Sequence, residues 1–98
     1  MQRSFVMLKK ISEKIGYTKL VYDRVSKKLR TNYTKKQIEE LVEAILNDNQ
    51  TKLSRVGKNY YLWHSEKHIQ LTINASSYRL ITADRQEKIP ISKKSAKS

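Results

Sequence analysis

The chain has 98 residues, with 21 Lys and Arg against nine Asp and Glu, and a formal net charge of +12. This length provides one modest hydrophobic core and no second folding unit, and the charge far exceeds what solubility requires. Such a surface attracts phosphate, so nucleic acid is the expected partner and an acidic protein the alternative.

Composition also excludes several kinds of site. The absence of cysteine excludes disulfides, thiolate zinc sites and a cysteine nucleophile. Two glycines and one proline argue against a glycine-rich phosphate loop, so we expect no cofactor. The N-terminal apolar run ends at the lysines that follow Leu8. It is therefore too short for a signal-peptide core or a membrane span. The sequence favours the cytoplasm and no membrane association, and it leaves the oligomeric state open.

The first predicted helix covers residues 7–15, with Gly16 as a left-handed cap. Its apolar residues recur at helical spacing: Leu8, Ile11 and Ile15. A strand over residues 4–8 is the alternative. The second predicted helix is capped by Thr18 and runs to about Thr31.

The third predicted helix has the clearest pattern. Thr34 and Gln37 have the spacing of a capping box. The apolar residues that follow recur with helical period: Ile38, Leu41, Val42, Ile45 and Leu46. Its outer face is expected to carry Glu39, Glu40 and Glu43. This helix is therefore expected to pack and not to contact phosphate.

The second half of the chain has the pattern of a β-meander. The predicted strands cover residues 52–56 as an edge strand, then 60–64, 68–74 and 78–83. The strand at 68–74 alternates apolar and polar residues, which predicts one buried face. The predicted fold is α+β, with two or three N-terminal helices packed on a three- to four-stranded antiparallel β-meander. Residues 1–85 form one predicted domain, and 86–98 are expected to be a flexible, disordered basic tail.

Two basic clusters are the candidate nucleic-acid-binding residues. Arg24, Lys27 and Lys28 are neighbours on the second helix, where like charges oppose folding unless an external anion balances them. The second cluster surrounds the first hairpin and adds an aromatic ring for stacking on bases: Lys52, Arg55, Lys58 and Tyr60. The alternatives are a solvated face for the cations and a core role for the aromatics, favoured for Trp63 or Tyr61.

Other patterns give weaker hypotheses. Helices followed by a hairpin also describe a winged helix–turn–helix, but there the helix before the hairpin reads DNA, and here it is acidic. His64 and His68 flank Glu66, yet two imidazoles are too few for a metal centre, so we expect no metal. Arg79 and Arg85 bracket the last strand and could pair with Asp84 or Glu66 as readily as with phosphate.

Two stretches carry a resemblance to a known family. They are Gly57-Lys58-Asn59-Tyr60-Tyr61 and the run from Leu71 to Ala83, LTINASSYRLITA. They resemble a family of short bacterial proteins of unknown function, over roughly residues 18–83. The resemblance implies an α+β fold and no particular activity. The turn from Asn74 to Tyr78 is either a side-chain-capped structural turn or a functional element.

A second stretch, Ser77-Tyr78-Arg79-Leu80-Ile81, is similar to a strand of the RelE-type toxins, which cleave messenger RNA on the ribosome. That resemblance implies a functional role for Arg79, and His64 could act as a general acid or base. No aromatic residue follows Tyr78 to match the toxins' last strand. The leading hypothesis is therefore a non-enzymatic nucleic-acid-binding protein. An RNA-cleaving toxin and a small inhibitor or accessory protein that docks on an acidic partner are the alternatives.

Overall fold

The structure, a computed structural model, describes residues 2–85, with side chains from Val6 onward. Three helices precede a four-stranded antiparallel sheet with strand order β1-β2-β3-β4. The elements are α1 Gln2–Lys14, α2 Lys19–Leu29, α3 Lys35–Leu46, β1 Lys52–Val56, β2 Asn59–His64, β3 Ile69–Asn74 and β4 Leu80–Arg85. This confirms the predicted α+β class and meander. The tail predicted for residues 86–98 lies outside the described residues.

One hydrophobic core joins the helices to the sheet. Each helix contributes residues spaced three or four apart, which places them on one face. The core residues that are less than 1% exposed come from all parts of the described chain: Leu8, Ile11, Val25, Ile38, Val42, Ile45, Leu46, Leu62, Leu71, Ile73 and Ala83. Full burial of one such leucine or isoleucine stabilises the fold by about 1.5–3 kcal/mol. The core therefore fixes α2 and α3 against the strands.

The N-terminal segment differs from its prediction in two respects. The first helix begins at Gln2, so the alternative of a strand over residues 4–8 is wrong. Gly16 is not the left-handed cap that was expected, because Gly57 is the glycine with a positive φ, at 61°. Instead, Gly16 N donates to Tyr78 O and Gly16 O accepts from Leu80 N, both at 2.9 Å. The linker between α1 and α2 is thus bonded to the start of β4.

The helix ends follow local side-chain chemistry. The Thr34 hydroxyl accepts a hydrogen bond from Gln37 N at 3.1 Å, and the Gln37 side chain accepts one from Thr34 N at 2.8 Å. This confirms the predicted capping box. The second helix ends at Leu29, slightly before the predicted end, because Arg30 adopts a left-handed conformation with φ 56° and ψ 53°.

The acidic residues of α3 do not all face solvent. Glu39 accepts a hydrogen bond from the Tyr22 hydroxyl, and Glu43 accepts one from the Ser12 hydroxyl, each at 2.6 Å. Both glutamates are half-buried, whereas Glu40 is exposed. The expectation of an outward acidic face is therefore wrong for Glu39 and Glu43. These carboxylates bond α3 to α2 and α1.

The sheet is more buried than its sequence pattern indicated. Gln70 and Thr72 are 9% and 7% exposed, so the prediction of a half-buried third strand is wrong. Trp63 is 9% exposed, which confirms its predicted burial. The last strand begins two residues later than predicted, because Tyr78 has a φ of 60° and belongs to the turn before β4.

Candidate functional site

The cations of α2 lie on its solvent face. Arg24, Lys27 and Lys28 are exposed, while the opposite face of the helix is buried. Lys28 Nζ lies 3.1 Å from Asp84 Oδ1, the sole ion pair of a lysine or arginine with a carboxylate among the side chains described, those of residues 6–85. The Lys28 side chain is still 52% exposed. Part of the predicted cluster is thus neutralised internally, and Arg24 and Lys27 keep their charges available.

Side-chain contacts fix α2 along the edge of the sheet. Arg85 Nη2 donates to Leu29 O at 3.3 Å, and Arg24 Nη1 lies 3.5 Å from Ile81 O in a weaker contact. Both contacts tie the helix to β4. The cationic face of α2 therefore has a defined position relative to the strand that begins just after Arg79.

Two grooves border this face. The first has a volume of about 470 Å³ and is lined by Leu20, Asp23, Arg24, Lys27 and Lys28. The second, of about 300 Å³, lies between α2 and the turn before β4, and Arg79 contributes to its wall. Leu20 and Arg24 line both grooves. We call the surface formed by Arg24, Lys27, Lys28 and Arg79 the α2–β4 surface.

The turn before Arg79 is held by one side chain. Asn74 Oδ1 accepts hydrogen bonds from Ser76 N at 2.9 Å, Ser77 N at 2.8 Å and Ser77 Oγ at 3.1 Å. The turn is thus capped by a side chain, one of the two interpretations left open by the sequence. Tyr78 completes it with a φ of 60°, a left-handed conformation that costs a non-glycine residue about 1–2 kcal/mol. Strain of this kind often accompanies functional turns.

The hairpin cluster does not join the α2–β4 surface. Lys52 and Arg55 lie on β1, which is separated from β4 by two strands. At the usual spacing of strands, that distance is about 14 Å across the sheet. Lys58 lies in the turn before β2, where its carbonyl accepts a hydrogen bond from Ala75 N at 2.8 Å. Lys52 and Arg55 are therefore separate from the α2 cations, whereas Lys58 lies beside the turn before β4.

Tyr60 is not available for stacking on a base. Its residue is 8% exposed and belongs to the core. The Arg55 guanidinium lies 5.7 Å from the centre of its ring, and the Tyr78 ring lies 6.3 Å away. The predicted stacking role for Tyr60 is therefore wrong, because sheet packing covers the ring.

His64 has a structural environment. It is 3% exposed, its Nε2 lies 2.6 Å from Asp48 Oδ2, and its Nδ1 accepts from Lys67 N at 3.2 Å. Both ring nitrogens are engaged, so the suggested general acid or base role is not supported. Hydrogen bonds from Gln50 N and from His64 hold the pKa of Asp48 below its ordinary value.

The remaining titratable residues singled out in the sequence lie in different surroundings. Within residues 2–85, no group of three or more His, Cys, Asp or Glu side chains could hold a metal ion, and His68 is exposed and lies in a turn. Asp84 pairs with Lys28, while Arg85 bonds to a helix carbonyl, so the suggested pairing of Asp84 with an arginine is wrong.

Sequence reasoning missed the residues that complete the second groove. Thr18, Leu20, Asn74 and Ser77 line it beside the two arginines. The side-chain-capped turn was visible in the sequence as the Asn74 to Tyr78 stretch. Its position opposite α2 was not visible, because it depends on the strand order.

The chain matches a protein-family model over most of its length. A family model described as a protein of unknown function (DUF3781) matches residues 9–84. Neither the curated proteins nor the solved structures contain a match to the chain. None of these comparisons links the chain to the RelE-type toxins. Among residues 2–85, the helices are too short and too polar to cross a lipid bilayer.

Proposed function

Since the chain belongs to the DUF3781 family, whose function is unknown, we propose from its own geometry that it binds nucleic acid through the α2–β4 surface without cleaving it. The observation that carries this proposal is the exposure of Arg24, Lys27 and Arg79 along two joined grooves. None of these three side chains forms an ion pair within residues 2–85. Clustered cations of this kind bind phosphates.

The contacts are expected to reach the phosphate backbone and not base edges. Arginine and lysine on an exposed helix face supply charge-assisted hydrogen bonds that fix position but carry no sequence information. Two aromatic side chains that could have stacked on bases, Tyr60 and Trp63, are 8% and 9% exposed. Binding should therefore depend weakly on sequence.

The surroundings of the candidate catalytic residues favour binding over cleavage. His64 is buried and bonded through both ring nitrogens, so it has no free nitrogen for proton transfer. Arg79 supplies positive charge but cannot act as a base, because its guanidinium stays protonated. The toxin alternative therefore loses the histidine on which it depended for proton transfer.

A salt series tests this proposal. Fluorescence anisotropy would measure the affinity for single-stranded DNA, duplex DNA and RNA at about 50 and about 200 mM salt. Three phosphate contacts, from Arg24, Lys27 and Arg79, predict that affinity falls roughly fortyfold between these two concentrations. Affinity that does not change with salt would contradict the proposal.

Matched variants locate the interface. The double variant R24A/K27A removes two charges from the α2–β4 surface, and K52A/R55A removes two from β1 at the opposite edge of the sheet. The first is expected to weaken binding to all sequences about equally and to reduce the salt slope by about two. The second should leave affinity nearly unchanged. Equal losses in both variants would indicate attraction to net charge alone.

An acidic protein partner is the second candidate, and Leu20 favours it. This residue is 73% exposed and lies between cations in both grooves. An apolar side chain amid positive charge suits an acidic protein with an apolar anchor. Affinity purification after nuclease treatment tests this candidate. If this candidate is correct, another protein co-purifies in stoichiometric amount with the unmodified chain and is absent from the variant Leu20→Asp. Recovery of the chain alone would exclude this candidate.

A further inference from the structure

The groove between the start of α2 and the turn before β4 differs from the rest of the α2–β4 surface. Arg24 and Arg79 both line it, and none of its lining residues carries a carboxylate. Asp23, the carboxylate next to Arg24 in the chain, lines the neighbouring groove instead. Two arginine residues thus line one recess of about 300 Å³ without an anionic partner in its walls.

The arginines are held in place by backbone contacts. Arg79 pairs with Gly16 in an isolated parallel bridge, and a Cβ atom added to Gly16 would lie 3.6 Å from Arg79 Cγ. Arg24 lies on a helix whose opposite face is buried in the core. The recess is therefore bordered by two separate elements that the fold brings together, and not by one flexible loop.

Other donors surround the same recess. Asn74 uses its Oδ1 atom to accept hydrogen bonds within the turn, which leaves its Nδ2 group as a donor. Thr18 precedes α2, but its side chain accepts no hydrogen bond from the first turn. The Lys19 and Leu20 N–H groups therefore have no side-chain acceptor, while Val21 N donates to Thr18 O at 3.2 Å. The helix dipole adds positive potential at this point.

We propose that this recess binds a phosphate monoester, carried either on the end of a nucleic-acid strand or on a free small molecule. Two guanidinium charges match the near-double charge of a monoester, whereas a backbone diester carries a single charge. A recess also accommodates one phosphate group better than a continuous chain. The strand-end form rests on the proposed function, while the free form does not.

Inorganic phosphate is the first probe. In a titration followed by ¹⁵N–¹H correlation spectra, saturable shifts are expected at the Arg24 and Arg79 side-chain Nε–H groups and at the Lys19 amide. The variant R79A should weaken binding about tenfold or more, equivalent to losing one charge-assisted hydrogen bond. The variant R79K keeps the charge but not the planar fork, so it should bind with intermediate affinity.

A second variant separates binding from folding. N74D keeps an oxygen acceptor for the turn but adds a negative charge to the recess, so it should weaken phosphate binding with little change in thermal midpoint. K52A, at the far edge of the sheet, should bind phosphate as the unmodified protein does. The absence of saturable shifts, or equal shifts in R79A and the unmodified protein, would overturn the proposal.

Oligonucleotides of one sequence, with a 5′-phosphate, a 3′-phosphate or hydroxyl ends, distinguish the two sources. About tenfold tighter binding of a phosphorylated end, lost in R79A, assigns the recess to strand ends. Phosphate binding with no preference among the oligonucleotides assigns it to a free monoester. If the hydroxyl-ended oligonucleotides show no salt-dependent binding, the proposed nucleic-acid-binding function is contradicted, whatever the result for inorganic phosphate.

Discussion

The Nε2 atom of His64, at the end of β2, lies 2.6 Å from Oδ2 of Asp48, two residues past the end of α3. The other ring nitrogen accepts a hydrogen bond from Lys67 N in the turn before β3. One buried imidazole therefore joins the helical layer, a strand end and a turn. This contact explains why a histidine that could serve catalysis is instead part of the fold.

Acid should weaken this contact. The pKa of Asp48 lies below its ordinary value of 3.8, first because Gln50 N donates to it and then because His64 does. A carboxylate with a lowered pKa stabilises the folded state above its ordinary pKa, and that contribution is lost as pH falls through the lowered pKa. Thermal midpoints of the unmodified protein and Asp48→Asn should therefore differ most above about pH 4 and converge in stronger acid. A constant difference from pH 2 to 7 would contradict this assignment.

Replacement of His64 should destabilise the protein at neutral pH. The variant His64→Leu removes both hydrogen bonds and leaves the Lys67 amide without its acceptor, at a cost of about 1–3 kcal/mol in the free energy of unfolding. Urea denaturation measures this loss. His68→Asn is the control, because His68 is exposed with a φ of 54° and asparagine tolerates that conformation. The control should change stability by less than about 0.5 kcal/mol, and comparable losses in both variants would be inconsistent with the Asp48 contact.

The Tyr22 hydroxyl should ionise at unusually high pH, as should that of Tyr17, whose pKa is raised chiefly by burial. The hydrogen bond from the Tyr22 hydroxyl to Glu39 raises the pKa of Tyr22 to about 12. A phenol with a raised pKa stabilises the folded state below its ordinary value of 10.0, and this contribution is lost as pH rises toward 12. Ultraviolet titration should show a phenolate that forms near pH 12 in the unmodified protein and is missing in Tyr22→Phe. If the tyrosine lost in Tyr22→Phe is one that ionises near the ordinary pKa of 10.0, the Tyr22–Glu39 hydrogen bond is contradicted.

The two threonines before α2 and α3 should differ in importance. Thr34 accepts a hydrogen bond from Gln37 N, whereas the Thr18 side chain caps nothing. Thr34→Ala should therefore lower the free energy of unfolding by about 1 kcal/mol, a typical value for a lost cap. Thr18→Ala should change it by less than about 0.5 kcal/mol. Denaturant midpoints of the two variants test the difference, and an equal or larger effect at Thr18 would show that its hydroxyl has a partner in solution.

Patterns within short stretches of sequence predicted much of the fold. The capping box spans four residues, Thr34 to Gln37, and the apolar period of α3 spans about two turns, so neither depends on distant parts of the chain. The strands follow from runs of alternating or aromatic residues bounded by turn signals. The errors occurred where a distant contact overrides the local pattern. Gly16 is one example, since it pairs with Arg79 and does not cap α1.

The sequence by itself determined the class of fold, the order and approximate bounds of its helices and strands, and the excess of positive charge, because these depend on neighbouring residues and composition. Only the tertiary structure decided which cations share a surface. Arg24 and Arg79 line one groove because α2 packs along β4, while the strand order places Lys52 at the opposite edge. The burial of Tyr60 and His64 was decided in the same way, since whether a side chain is covered depends on elements that lie far from it in the chain.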